Sequence, residues 1–411
     1  MAWRIIGNMT GNSMDAIDLV LTEFDGEKMT DICAYSKPYD LDMRLKMQKL
    51  RVEVYSKTKQ EIEALPDFQK IHDAYIKGIA DAIDEMCDIN GIDKKTIDAI
   101  GFHGKTLDHN PPSKAKIDGS EPYTLQIGSG QMLADLTGLK VVYDFRSDFL
   151  MKGLEGAPLV GPHNAHIALI EGDGCYYNGG NTSNFAIIQN GQCVLSSDAG
   201  PFNEYVDAYV RLFSDKAFDE DGRIGQKGTL DQKLLAYIFE CGKEFYEAKL
   251  PKSGDPAYYH KEKIFEYVQA NIVSFENAVR TFEYASAYLA VFALTLVLKE
   301  TAIVPKFILF GGGWKNPIVK EDFENLLTGK GFILEQHQND FKILQKRFSS
   351  KPLVRYSRYG ELMEARLMAD MARFKLENKP WDMGVVAGAV VSPATNKKMY
   401  TDCVNRAAKS F

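Results

Sequence analysis

No Cys-x-x-Cys pair occurs among the six cysteines (Cys33, Cys87, Cys175, Cys193, Cys241, Cys403), so the chain carries no metal or redox motif of that kind. Lysine and arginine never gather into a long run, and 49 of them stand against 56 Asp and Glu for a net charge of -7. A nucleic-acid partner, which needs clustered neutralisation of phosphates, is therefore not expected, although a locally basic pocket for an anionic substrate is compatible with this balance. The opening MAWRIIGNMT has no signal-peptide hydrophobic region, and a cytoplasmic location is expected. The most apolar run, Ala285 to Leu298, is too short for a membrane span and lies between Glu283 and Lys299, so it reads as a buried helix and no membrane partner is expected.

What is present is enough chain for more than one core. At 411 residues two domains are expected, one over 1–170 and one over 171–411, the second with an exposed, partly helical insertion at about 214–270 where charges, Gly and Pro accumulate. Residues 3–24 (WRIIGNMTGNSMDAIDLVLTEF) alternate as two strands about a polar turn. Gly7 and Gly11 let backbone N–H groups converge there, and Thr10, Asn12 and Ser13 add side-chain donors, so the turn suits a phosphate as well as an ordinary hairpin loop. Asp15 and Asp18 follow at a spacing that sends them to opposite faces of the returning strand, so one metal ion does not take both. At Gly174 the pattern starts again with a strand, the turn Gly179-Gly180 and a second strand, which points to a duplicated α/β fold.

The Asn178 to Asn203 stretch carries the strongest chemical signal. Asn190-Gly191 predicts a type I′ turn into a strand that ends at Asp198, and Gly200-Pro201 predicts a helix start whose N–H groups face an anion. Asp198 is thus the first candidate for a chemical role. Elsewhere, apolar residues at helical spacing from Pro66 to Asn90, stopped by Gly91, predict a core helix. A further helix is expected from Ser129 to Gly138. The strand IDAIGF ends in His103-Gly104-Lys105-Thr106, where open α/β sheets place ligands, although a structural role suits His103. Arg146 ends another strand and either forks onto a ligand or pairs with Asp148. His163 and His166 have a metal-compatible spacing but no evident third ligand, so a helix face is expected. Lys252-Ser253-Gly254 suits a phosphate or sugar. The strand KFILF leads into Gly311-Gly312-Gly313-Trp314-Lys315-Asn316-Pro317, a joint that predicts close approach to a ligand. Glu364 reads as a solvated charge on a helix.

In order along the chain, GNMTGNSMDAID, FHGKT, TLQIGSG, DFR, GAPLV, NGG, DAGPFN, LPKSG, GGGWKNP and Glu364-Ala365 resemble the anhydro-N-acetylmuramic acid kinases over nearly the whole length. The resemblance implies the two-domain actin-like ATPase fold, duplicated and ribonuclease H-like, with an interdomain cleft. It implies ATP and Mg²⁺, with an anhydro sugar as the other substrate. Gly7, Thr10, Gly11, Asn12, Ser13, Gly179 and Gly180 then hold phosphates, Asp15 positions Mg²⁺ through water, and Gly311, Gly312, Gly313 and Asn316 receive the adenosine. Thr106, Arg146 and Glu364 contact the sugar, and Asp198 is the general base that activates a water. Phe202 stands where the family has glycine, and its ring either crowds a phosphate or turns away along the helix. Lys105 and Asn12 replace a usual Gln and Thr. The oligomeric state is not set by the sequence, and a homodimer is left open.

Overall fold

The structure, a computed structural model, describes every residue except 1, 12, 13, 15, 55, 56, 255, 303–305, 349–351, 361, 395–399 and 408–411. Asn12, Ser13 and Asp15 of the candidate set therefore lie outside the described residues. The strands in chain order are β1 (Trp3–Met9), β2 (Ala16–Asp25), β3 (Lys28–Pro38), β4 (Ala99–Phe102), β5 (Lys105–Asn110), β6 (Tyr123–Ile127), β7 (Val141–Tyr143), β8 (Gly174–Gly179), β9 (Thr182–Gln189), β10 (Gln192–Pro201), β11 (Lys306–Phe310), β12 (Leu353–Tyr356), β13 (Ala389–Val391) and β14 (Val404–Ala407).

The chain divides into two compact units, Met1–Leu159 with Leu362–Phe411, and Val160–Glu361. The division differs from the expected one at 170/171 in two respects, since the first boundary falls at 159/160 and the second unit does not run to the end of the chain. The last stretch returns to the first unit, because the helix Met363–Leu376 packs on β1, β2 and β4.

The sheet of the first unit runs β13-β7-β4-β1-β2-β3 and that of the second β10-β9-β8-β11-β12. In each, a three-strand antiparallel meander (β1-β2-β3, β8-β9-β10) is followed by two strands added in parallel beside its first member (β4 and β7, β11 and β12). The same five-strand order occurs twice. This is the ribonuclease H-like fold in duplicate, the arrangement of the actin-like ATPases and sugar kinases.

Alternation along β1 explains how its sheet is covered. Ile6 and Ile100 join the core cluster that contains Tyr75, Ile79 and Ile83 of the helix Phe68–Asn90. Gly7 and Gly101, partners in register, point the other way, as the pleat demands. There they meet the helix Met363–Leu376 so closely that a Cβ on Gly7 would lie 1.8 Å from the Ala365 carbonyl oxygen, and one on Gly101 2.1 Å from that of Met368.

Helix ends follow the sequence. Ser129 caps Gly130–Thr137 through the Met132 N–H, and Gly138 and Gly91 close their helices in left-handed conformation. Segment 214–270 is partly helical, and its exposure is uneven, with 215–218 in solvent and one face of each helix in the core. The helix Gln232–Tyr246 buries Leu234, Leu235, Ile238, Phe239, Phe245 and Tyr246 in the core of the second unit, with Glu240, Lys243 and Glu244 on its outer face. The apolar helix extends further than its most apolar run, over Phe275–Glu300, and is long and apolar enough to cross a membrane. Its apolar side chains from Ala278 to Leu294 are instead packed inside this core.

Candidate functional site

In the first unit the candidate residues meet at the ends of β4, β5 and β7 and at the start of the helix Met363–Leu376. His103, buried just past β4, receives the Arg146 Nε–H on Nε2 at 3.0 Å and bonds the Gly104 carbonyl through Nδ1 at 2.8 Å. A guanidinium only donates, so Nε2 accepts and Nδ1 carries the proton. Burial, reinforced by the Arg146 charge, pushes the His103 pKa down to about 3. The ring is therefore a neutral acceptor that fixes the guanidinium, whose Nη1 also donates to the Gly156 carbonyl at 2.6 Å. Asp148, the other partner that the sequence offers Arg146, accepts from the Gly388 N–H at 2.8 Å.

Glu364 sits in the first turn of its helix and is part-buried rather than fully solvated. Loss of water raises its pKa, with Asp18 adding to the rise and Arg146 and Lys105 opposing it. Two cations and a second carboxylate thus surround one carboxyl group. Lys105 is buried at the start of β5, and burial lowers its ammonium to about 7, with Arg51 adding to the fall and Glu364 resisting it. Thr106, next on β5, accepts from Gln126 Nε2 at 3.3 Å. The Thr10 hydroxyl, 2% exposed, shares a 2.9 Å hydrogen bond with the Tyr39 hydroxyl. Asp18 accepts from Ser36 Oγ at 2.7 Å.

In the second unit Asp198 lies within β10, at a register shift between Asp198 and Gly200. The Lys252-Ser253-Gly254 stretch wraps it. The Asp198 N–H donates to the Lys252 carbonyl at 3.0 Å, the Lys252 N–H to Ser197 Oγ at 2.9 Å, and the Gly254 N–H to Asp198 Oδ2 at 2.7 Å. The Lys252 ammonium donates to the Phe245 and Tyr246 carbonyls at 2.8 and 2.6 Å and so pins this loop to the end of the Gln232–Tyr246 helix. Burial lowers that ammonium to about 7, and Asp198 opposes the fall. The stretch read as a phosphate or sugar contact is thus the holder of the Asp198 carboxylate.

The helix expected at Gly200-Pro201 begins only at Asn203, since both residues end β10. Its first N–H groups are already engaged. Those of Phe202 and Glu204 donate to the Asn181 carbonyl and that of Asn203 to Gly180. The second turn is therefore tied to this helix start, which corrects the expectation of an anion there. Phe202 is buried with its ring centroid 4.5 Å from that of Trp314, against Gly179 and Gly313. The ring turns into the core.

At the third glycine joint, Gly311 takes φ +84° against Asn178 and Gly179, whereas Gly312 is exposed with open space where a side chain would stand. Close approach to a ligand from Gly312 is thus sterically open, while packing accounts for Gly313. Asn316 caps the helix Pro317–Thr328 by accepting from the Ile318 N–H at 3.0 Å, and its Nδ2 donates to Glu283 Oε1 at 2.6 Å.

No sequence motif marks Tyr39, Glu283 or the hold of Lys252 on its neighbours. A carboxylate inside an otherwise apolar helix was the available signal for Glu283.

Residues 3–339 match the family model described as anhydro-N-acetylmuramic acid kinase. Proteins of that name from Agrobacterium fabrum and Vibrio vulnificus are each 29% identical to the chain, over 79% of it and over 84% and 83% of their own lengths. The Rhizobium johnstonii protein of the same name is 26% identical over 96% of the chain and 98% of its own length.

Proposed function

Because the chain belongs to the anhydro-N-acetylmuramic acid kinase family, a family of sugar kinases that use ATP, we propose that it opens the 1,6-anhydro ring of 1,6-anhydro-N-acetylmuramic acid and phosphorylates the freed O6. The bond from a water oxygen to C1 forms as the C1–O6 bond breaks. O6 takes the γ-phosphoryl group, ADP leaves, and one water proton passes to Asp198. The product is N-acetylmuramic acid 6-phosphate, consistent with recycling of cell-wall sugars in the cytoplasm.

The observation that carries this reading is the hold on Asp198. Two backbone hydrogen bonds fix its N–H and Oδ2 to the Lys252–Gly254 loop, which holds the carboxylate in one orientation, as a base that must reach a positioned water requires. Arg146, fixed by His103 and Gly156, presents an oriented fork to the sugar, with Thr106 and Glu364 beside it. Lys105 adds a cation to this group, which suits a sugar bearing a carboxylate. Gly11, Asn12 and Ser13, with Gly180, are assigned to the phosphates, and Gly312 with Asn316 to the adenosine. Gly7, Gly179 and Gly313 support these turns by close packing, and Thr10 supports the first through Tyr39.

Mg²⁺ fits oxygen donors such as the Asp15 carboxylate and would neutralise phosphate charge when bound. Protein residues do the rest by aligning water and O6, where a misplacement of one ångström costs on the order of 100-fold. The test is purified protein with Mg-ATP and the anhydro sugar. A 6-phosphosugar with stoichiometric ADP is expected, and ADP release no greater than that of Asp198→Asn would refute the reading. A parallel assay with an anhydro-hexose lacking the lactyl ether tests the sugar assignment. Higher kcat/KM on that analogue would reassign the substrate.

A further inference from the structure

Glu283 is a buried carboxyl group for which the proposed chemistry has no use. It projects from the third turn of the Phe275–Glu300 helix, is 0% exposed, and uses Oε1 to accept from Asn316 Nδ2 at 2.6 Å. Its Oε2 is buried, and among the described residues no conventional donor faces it. That oxygen presses on Gly225, where a Cβ would stand only 1.8 Å away. The same Gly225 gives its N–H to Asp219 Oδ2 at 2.8 Å, and Ile224 gives its N–H to both Asp219 oxygens. Two carboxyl groups therefore share one small enclosure, with Asp219 itself 6% exposed.

A buried acceptor facing another acceptor is costly unless a proton lies between them. We infer that Glu283 and Asp219 share a proton, Glu283 Oε2–H donating to the Asp219 carboxylate, and that this pair fixes the Asn316 amide, making Glu283 a positioning residue for nucleotide binding. The inference rests on the assignment of the glycine joint and Asn316 to the nucleotide.

The hydrogen-bond pattern then closes. Protonated Glu283 donates from Oε2 and accepts on Oε1. Asn316 spends one N–H on Glu283 and its Oδ1 on the Ile318 N–H, so both ends of its amide are oriented. Burial raises the Glu283 carboxyl to about 8, the Asn316 bond and the Arg280 charge working against the rise and Asp219 adding to it. Arg280 lies one turn earlier on the same helix, and its guanidinium is engaged by both Asp322 oxygens of the Pro317–Thr328 helix at 2.6 and 2.9 Å. When Glu283 loses its proton, two anions face each other across Gly225. Relief comes from moving the 219–225 segment or the carboxylate that holds Asn316.

Two measurements over pH 6.5–9.5 test the pair: KM for ATP in the sugar-dependent reaction, and binding of fluorescent N-methylanthraniloyl-ADP. In the native protein KM and the ADP Kd are expected to rise about tenfold from pH 7 to pH 9, as follows when only the protonated form holds the site, with kcat changing less. Glu283→Gln donates to Asp219 and accepts from Asn316 at every pH, so its KM and Kd stay flat at the native low-pH level. A native profile that is flat, or a Glu283→Gln profile that rises with the native one, overturns the proton-sharing pair. Asp219→Asn, which offers Glu283 a donor, is expected to flatten the profile as well, and an unchanged steep profile counts against the pair. Failure of the native protein to bind the ADP probe at any pH would instead overturn the nucleotide assignment on which the inference rests.

Discussion

Gly7→Ala separates two physical roles for the first hairpin. If Gly7 is glycine to let backbone approach a phosphate, the added methyl raises KM for ATP and leaves folding intact. The structure gives the other answer. The new Cβ would stand 1.8 Å from the Ala365 carbonyl oxygen and 2.8 Å from the Ala369 nitrogen, both backbone atoms of the helix that covers β1. A flexible side chain would swing aside, but a helix backbone has to be displaced whole. Overpacking costs about 1–3 kcal/mol, and the rigidity of the obstacle puts this case at about 3. For a unit of this size each kcal/mol lowers Tm by about 2–4 °C, so a fall of roughly 6–12 °C is expected by scanning calorimetry. Glu364 precedes Ala365 on the displaced helix, so kcat/KM for the sugar should fall on the order of 100-fold if it moves by an ångström. Gly101→Ala, one strand over against Met368, is expected to reproduce the Tm loss. An unchanged Tm for Gly7→Ala with a raised KM for ATP would refute the packing argument.

Lys252→Met removes both bonds to the Gln232–Tyr246 helix end, and kcat should fall at least about tenfold with KM for either substrate little changed, because the loop that holds Asp198 loosens. Lys252→Arg should recover part of the loss in the same assay. The neutral buried His103 makes stability depend on acid. An unfolded His103 binds a proton below about 6.5 and the folded one only near 3, so stability is full above 6.5 and declines as pH falls through that window. The loss is up to roughly 4–5 kcal/mol. Urea unfolding at pH 7, 5.5 and 4.5 should show this decline, and His103→Gln should flatten it. Phe202→Ala empties a core position and should cost about 3–5 kcal/mol in the same unfolding assay, whereas a ring lying on the phosphates would instead change KM for ATP at constant stability.

The elements legible in the sequence were those fixed by neighbours a few residues away. Ser129 and Gly138 bound their helix, Gly91 ends another, and Asn190-Gly191 turns with φ of +52° and +70° between β9 and β10. The duplication was legible too, since each meander is local. What was hidden depends on partners far along the chain. Nothing near Gly7 announces a helix beginning at residue 363, and nothing near Asp198 announces that residues 252 and 254 will hold it. Phe202 looked misplaced because the sequence does not reveal Trp314 waiting for its ring. The buried faces within segment 214–270 were hidden because its charges are conspicuous and its apolar positions are not.

The return of residues 362–411 to the first unit also bears on how the protein is made. The second unit is nested within the first, so during synthesis the guest is complete when residue 361 emerges while its host still lacks a piece. Until the Met363–Leu376 helix arrives, the glycine-lined face of β1 and β4 has no cover. A chain stopped before residue 362 would carry an intact second unit on an unfinished first one, a species with an exposed apolar sheet that chaperones and proteases would recognise.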